Sequence, residues 1–500
     1  MQSSALLHGV VLLAGLAGAG LPTACGSGSD SNADAGPGDL PDAGDPNALD
    51  CEGRSGTRIR QVVRNQSDGS VEFLRLQDSE LAETCNYGLA SDGSLRCIPI
   101  ADGSPFAGGA VMYTDPGCTN RIAQLAAAVG DPPPIYMQEV VAGGSADGCA
   151  AVTRNYELGN QLAVDPATTI YRQDAVSCVG VTAGTSPYFE IASELAPDDL
   201  VAGTESWVGE GRVQTRRLDG DDGSRFCDAA SFRDLELETS CVLQYGEDNS
   251  IECLPSPLPI GAFFSDAGCG TGTELPLMVV PGTCDTGARY AYQPALAACN
   301  YRNRVRALGD EFTDPYFQMD GGCVQVDPPN ESTAYRVGPA LAGGSFSTFT
   351  HTFIDSGGDR LQRGDLENGL GLRIHAPEAF GEQWKDTMLD TPCAFETATD
   401  DMLRCLPSGS AQTPIGTVGQ RFSDAACGTP VTVAEVNLAC FGSAEPTWAR
   451  EGVHVYPVTG PAPATYRMEA SCIQITDVAV YSIGAEVTAD MFVSGEEATP

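Results

Sequence analysis

Cysteines, aspartates and a few histidines are the residues in this chain whose types and spacing could do chemistry. The cysteines come in a cassette written three times. A Leu stands four residues before a first Cys (Cys85, Cys241, Cys393), and a second Cys follows after twelve (Cys97, Cys253, Cys405). An aliphatic residue and a Pro come next, and then a third Cys behind an aromatic and an Asp (Cys118, Cys269, Cys427). No Cys-x-x-Cys occurs, so zinc ribbons and thioredoxin-like sites lack ligands at usable spacing and disulfides are the expected fate.

Asp78, Asp234 and Asp386 lie seven residues before the first cassette Cys, and Asp115, Asp266 and Asp424 lie three before the third. Carboxylates in loops suit calcium, the one cofactor these residues suggest. The competing role is turn capping, in which an Asp accepts hydrogen bonds from its own backbone. Recurrence favours capping, because a feature found in every unit is one the unit needs to fold. The run Asp219-Gly220-Asp221-Asp222-Gly223-Ser224 resembles a calcium loop without the Glu at the twelfth position, and is expected to be an acidic hairpin tip.

His375 with Glu378 and Arg373, or His351 with Asp355, would supply acid–base pairs. These histidines and His454 each occur once in strand-like text, where a structural role is commoner, so no catalytic residue is assigned. Gly-x-Ser-x-Gly, His-Glu-x-x-His and P-loop motifs are missing from the chain. Arg363-Gly364-Asp365 spells the integrin-recognition tripeptide, and Asn65 and Asn330 begin glycosylation sequons.

The elements that must position these residues read as β throughout. Val71–Leu76 and Ile135–Val140 alternate with period two between Gly, Pro and Asp punctuation, and Asp92-Gly93 is a hairpin signal inside the first cassette. Helical character is confined to 121–129 and 294–298. Arg-led strands at Arg58, Arg212 and Arg360 open units that repeat with a period of about 150 residues. The expected architecture is all-β, with three tandem disulfide-stapled repeats over 51–205, 206–355 and 356–500. The alternative is one closed, propeller-like body.

The chain's 500 residues carry 19 cysteines. The hairpin pairs Cys85–Cys97, Cys241–Cys253 and Cys393–Cys405 lead the expected pairing, since facing strands meet the Cα separation a disulfide requires. Cys269–Cys284, Cys427–Cys440, Cys149–Cys178 and Cys299–Cys323 come next. Cys51–Cys118 and a bridge from Cys227 to Cys472 complete the set.

Sixty-seven acidic residues against 27 basic ones give a net charge of −40. Such a surface repels phosphate backbones, so nucleic acid is an unsuitable partner and membrane contact needs an anchor. Residues 1–24 read as a lipoprotein-type signal, which would leave Cys25 lipidated. Ordinary signal cleavage is the alternative, because the leader has no Lys or Arg ahead of its apolar core and carries Pro22 three residues before the Cys. Residues 25–50, rich in Gly, Ser, Asp and Pro, form a flexible acidic tether. The expected location is the cell envelope or the extracellular space.

The Cys25 signal, the Asp-Ala-Gly-Pro tether, the motifs Leu-Arg-Cys-Ile-Pro (95–99) and Leu-Arg-Cys-Leu-Pro (403–407), and Phe-Ser-Asp-Ala-x-Cys (264–269 and 422–427) together resemble a class of secreted or lipid-anchored repeat proteins of myxobacteria. Segment two departs from the pattern with Glu252 where the others carry Arg. The resemblance implies a location and no reaction. The functional expectation is a surface binding or structural lipoprotein with an unidentified ligand, and the alternative is a secreted hydrolase or lyase on a β-scaffold.

Overall fold

Alternating text folds as strands here because each strand buries one face and the intervening Gly, Asp and Pro turn the chain back. The computed structural model describes residues 53–498 apart from 102–105, 127–132, 142–144, 146–149, 175–176, 247–249, 256–257, 271–273, 280–288, 297–300, 320–321, 327–331, 343, 370–371, 377–382, 410–412, 438–443, 469–470 and 477. The fold is all-β, and apart from strands only short 3₁₀ turns such as Pro197–Asp199 and Ala489–Met491 occur among the described residues.

The first segment contributes β1 (Ile59–Gln66), β2 (Val71–Asp78), β3 (Glu83–Leu89), β4 (Leu95–Pro99), β5 (Phe106–Tyr113), β6 (Arg121–Leu125), β7 (Tyr136–Val141), β8 (Val152–Leu162), β9 (Thr169–Asp174), β10 (Ser177–Thr182), β11 (Tyr188–Glu194) and β12 (Gly203–Val208). The second contributes β13 (Val213–Gly220), β14 (Arg225–Asp234), β15 (Thr239–Tyr245), β16 (Ile251–Pro255), β17 (Leu258–Phe264), β18 (Glu274–Val279), β19 (Tyr290–Leu296), β20 (Tyr301–Phe312), β21 (Tyr316–Met319), β22 (Cys323–Val326), β23 (Ser332–Ala340) and β24 (Thr348–Asp355). In the third lie β25 (Leu361–Glu367), β26 (Arg373–His375), β27 (Trp384–Asp386), β28 (Thr391–Thr397), β29 (Leu403–Pro407), β30 (Gly416–Phe422), β31 (Pro430–Val436), β32 (Trp448–Glu451), β33 (His454–Pro461), β34 (Tyr466–Met468), β35 (Cys472–Gln474), β36 (Ala479–Ile483) and β37 (Ser494–Ala498).

One large sheet takes strands from all three segments, in the order β12-β13-β14-β15-β16-β24-β25-β27-β28-β29-β37-β1-β2-β3-β4. The last strand of each segment lies between that segment's own cassette hairpin and the first strand of another. β24 joins β16 to β25, and β37 joins β29 to β1. The two ends of the path also meet. Arg96 bridges Ala202, and the Cys97 N–H donates to the Val201 carbonyl at 3.0 Å, as Cys253 does to Ser347 and Cys405 to Val493. The sheet therefore closes into a ring.

Its core is shared between segments. Ile59, Phe73, Leu76, Cys85 and Cys97 pack with Val201, Leu218 and Phe226, and Val213, Phe232 and Phe349 pack with Leu366 and Ile374. Each buried aliphatic or aromatic side chain of this kind contributes about 1.5–3 kcal/mol relative to leaving it in water.

Between cassette hairpin and last strand, each segment forms a five-stranded closed sheet. In the first the order is β5-β6-β11-β8-β7, sealed by the parallel β5–β7 pair, with the β9–β10 hairpin attached to β5. The corresponding pairs β17–β19 and β30–β32 are also parallel, so the three barrels share one topology. The helical expectation for 121–129 is corrected over its described part. Arg121–Leu125 pairs with β5 and Ile122–Gln124 with β11, burying Ile122, Ala123 and Leu125. Pro294–Leu296 likewise lies in β19.

The hairpin disulfides are present, with Cα separations of 5.4 Å (Cys85–Cys97), 5.3 Å (Cys241–Cys253) and 5.2 Å (Cys393–Cys405). The longer-range expectations are corrected. Cys118 bonds Cys178, Cys269 bonds Cys323 and Cys427 bonds Cys472, which replaces Cys149–Cys178, Cys269–Cys284, Cys299–Cys323, Cys427–Cys440, Cys51–Cys118 and Cys227–Cys472. Pairing by nearness in sequence failed because Tyr113 pairs with Tyr171, which brings the β9–β10 hairpin against the turn holding Cys118. The same contact recurs at Phe264–Phe317 and Phe422–Tyr466. Cys227 is also disulfide-bonded. Cys25, Cys51, Cys149, Cys284, Cys299 and Cys440 lie outside the described residues. The disulfides, six of them between described residues, mark a protein that matures in an oxidising compartment, exported from the cytosol. Among the described residues no helix is long and apolar enough to cross a membrane.

Candidate functional site

The recurring aspartates of the ring serve as braces. Asp78 ends β2 and takes two hydrogen bonds from Arg58, at 2.8 and 2.7 Å, while the backbone N–H groups of Glu80 and Leu81 donate to its Oδ1, the oxygen that also takes the Arg58 Nε–H. Arg58 also donates to the Asp199 carbonyl at 2.8 Å. Arg212–Asp234 with Ser345 O, and Arg360–Asp386 with Met491 O, repeat the arrangement. All three carboxylates are fully buried. Each brace ties the start of a segment's first ring strand (β1, β13, β25) and the end of that strand's neighbour (β2, β14, β27) to the chain entering its last strand.

The outer aspartates cap turns. Asp115 accepts from the backbone N–H groups of Gly117, Thr119 and Asn120, and Asp424 from those of Ala426, Gly428 and Thr429. These bonds, led by Asn120 and Gly428 respectively, hold both carboxyls below their usual range. Asp266 receives the Gly268 N–H at 2.6 Å. Each cap sets the following Cys in the left-handed region, with φ of 51° at Cys118, 46° at Cys269 and 53° at Cys427, and so aims the sulfur at its hairpin. The candidate calcium ligands Asp78, Asp115, Asp234, Asp386 and Asp424 thus spend both oxygens on protein donors. Among the described residues no group of three or more His, Cys, Asp or Glu side chains gathers to hold an ion.

Sequence reasoning missed a second lock. Asp222 leaves the β13–β14 tip and accepts the backbone N–H groups of Arg58 (2.9 Å) and Ile59 (2.6 Å), at the start of the first segment's ring. Burial pushes this carboxyl up, but Ser224 and those N–H groups outweigh it and hold it low. Asp68, on the β1–β2 tip, caps Leu361 of segment three in the same way at 2.6 Å. The text held a partial signal, since Asp-Gly-Ser occurs at 68–70 and 222–224, although it also occurs at 92–94 and 102–104. Tyr87 adds a third tie, its hydroxyl 3.2 Å from Ser224 Oγ, and burial pushes its phenol up to about 12.

The segments differ most in β25–β27. Here Arg363 makes two bonds to Asp365, at 2.8 and 3.0 Å, and Asp365 faces His375 across the β25–β26 pair. Burial raises the Asp365 carboxyl, but His375 and the Arg363 guanidinium outweigh it and hold it below its usual range. His375 Nδ1 meets the Gly364 carbonyl at 2.9 Å, which assigns a proton to Nδ1, and Nε2 has no hydrogen-bond partner among the described residues. Trp384, 5.8 Å away ring to ring, likewise has a buried Nε1 with no hydrogen-bond partner among the described residues. The Arg-Gly-Asp tripeptide is therefore inside a strand, its Asp fully buried and bound by its own Arg, and no loop presents it.

Among the described residues, the members of the acid–base pairs considered from sequence make other contacts. Arg373 turns outward to Glu367 at 3.2 Å, Asp355 caps Gly357, His351 stacks edge-on with Phe353, and Glu378 lies outside the described residues. His454 instead meets Glu486 at 2.6 Å. Glu486 borders an open groove of about 430 Å³ between the β28–β29 turn and the 3₁₀ turn at 489–491, lined by Thr399, Asp400 and residues 486–490. Arg96 in segment one pairs with Asp92, as Arg404 does with Asp400, and also with Asp198 of the corresponding turn, while Asp490 of segment three lines the groove.

No curated protein and no solved structure matches the chain. A family of unknown function (DUF7481) matches residues 39–493, which takes in the three barrels, every brace described and all of the ring except its closing strand β37, and the chain belongs to that family.

Proposed function

We propose that the protein is an exported binding or structural module, held at a cell surface through a lipidated Cys25 and a flexible tether, with its three barrels as the ligand-facing parts. One observation carries this reading: the same barrel, on the same disulfide-pinned hairpin, is set three times on one closed ring. A scaffold of that kind multiplies weak contacts through effective concentration. The distinctive recurring polar residues are engaged in bracing and capping. The net charge of −40 favours neutral or cationic ligands over polyanions. The finer likeness to myxobacterial anchored repeat proteins belongs with this reading.

A secreted hydrolase is the second reading, favoured by buried His375, whose Nδ1 lies 3.9 Å from Asp365 Oδ1 and whose Nε2 has no hydrogen-bond partner among the described residues. His375 is only 3% exposed, so a substrate reaches it only if the strands part. Cell fractionation tests the anchor: the chain is expected with envelopes, and Cys25→Ala in the soluble fraction. Turnover of any member of a polysaccharide and peptide panel that disappears in Asp365→Asn and His375→Ala would replace the binding reading.

A further inference from the structure

We propose that the free edge of β10 pairs with the same strand of a second copy of this chain. Among the described strands β10 ends its sheet, bonded on one side to β9 and to no strand on the other. Exposed edges invite strand addition, and proteins guard them with charged side chains, prolines or bulges. β10 has none of these. Its residues Ser177, Cys178, Val179, Gly180, Val181 and Thr182 are uncharged in a chain of 67 acidic residues, and its register with β9 runs without a bulge. Val179 is 39% exposed. The Cys118–Cys178 disulfide pins the strand so that the edge is held in place. The shorter end strands β22 and β35 in the other barrels are likewise uncharged and pinned by Cys323 and Cys472.

A second copy fits because β10 matches itself. In an antiparallel twofold pairing centred on Gly180, Val179 of one copy faces Val181 of the other, and Cys178 faces Thr182. The contact sets β-branched side chains against one another and brings no like charges together, as an isologous interface between two chains of charge −40 requires. Long-range repulsion still opposes the approach. It reaches about 30 Å at 0.01 M salt and about 3 Å at 1 M, so added salt should strengthen this association, the reverse of an ion-paired interface.

Sedimentation velocity of the full chain over a concentration series, at low and at 1 M sodium chloride, tests the proposal. The expected result is a monomer–dimer equilibrium that tightens at least about tenfold with salt as screening removes the repulsion. Val179→Lys should abolish it, although it lowers the net negative charge. Val140→Lys makes the same charge change at a residue 55% exposed on β7, which has neighbours on both sides, and should leave the dimer intact. Hydrogen exchange should slow at the amides of 177–182 as concentration rises. A monomer under all conditions, equal behaviour of the two lysine variants, or a dimer with unchanged exchange at 177–182 would each overturn the assignment.

Discussion

Replacing Arg360 with Ala removes the charged partner of a carboxylate that is fully buried at the end of β27. Breaking a buried pair from one side costs about 3–5 kcal/mol, because the remaining charge stays out of water. Two features reduce the figure. Asp386 keeps the N–H bonds of Met388 and Leu389, and the Arg360 side chain is 20% exposed, so water can enter where it stood. The lost bond to the Met491 carbonyl adds about 1 kcal/mol. The expected destabilisation is about 2–4 kcal/mol. Arg75→Ala is the control, removing a pair with Glu497 that is exposed on both sides, for about 0–1 kcal/mol. Guanidinium unfolding followed by fluorescence reads both variants, since buried Trp384 lies two residues from Asp386 and reports locally. A shift in midpoint at constant slope is the stability change. A loss in Arg360→Ala no larger than that in Arg75→Ala would refute the bracing role.

Non-reducing peptide mapping should recover Cys118 with Cys178, Cys269 with Cys323 and Cys427 with Cys472; each such bridge closes a long loop and is worth about 4 kcal/mol by chain entropy. A Cβ on Gly203 would lie 2.5 Å from Tyr87 Cε1, so Gly203→Ala should cost about 1–3 kcal/mol in thermal unfolding. Tyr87→Leu should restore part of that loss, as segment two sets Leu243 and Phe349 at the matching positions. The depressed Asp365 carboxyl contributes stability above its unfolded value of about 4, and that contribution drains as pH falls through the lower folded value. Acid titration of the fold should therefore show a component below about pH 4 that Asp365→Asn removes.

Local chemistry was legible and long-range pairing was not. Asp92-Gly93 announced a hairpin because a tight turn needs the positive φ that Gly93 adopts, and the cassette bridge followed from it. The caps at Asp115 and Asp424 were readable for a similar reason, since an Asx turn closes within a few residues. The bond from Cys118 to Cys178 was hidden, because it depends on β5 meeting β9 after three strands have intervened. Ring closure was hidden more deeply. Nothing in Ser494–Ala498 says that it will pair with Val63–Gln66 at the other end of the chain. Asp78, Asp234 and Asp386 were singled out by recurrence, but their arginines were read as strand openers, since no spacing rule brings Arg58 to Asp78 before the strands pair. Buried Asp365 and His375 were read from a tripeptide and a lone histidine, types whose burial only packing decides.

The central claim is that three segments close into one ring, with β37 as the closing strand. Hydrogen exchange on the intact chain and on a chain ending at Val493 tests it most directly. Closure predicts that removing residues 494–500 strips protection from Val63–Gln66 and from Leu403–Arg404, the strands on either side of β37, although they belong to different segments. Unchanged protection at Val63–Gln66 in the shortened chain would contradict it.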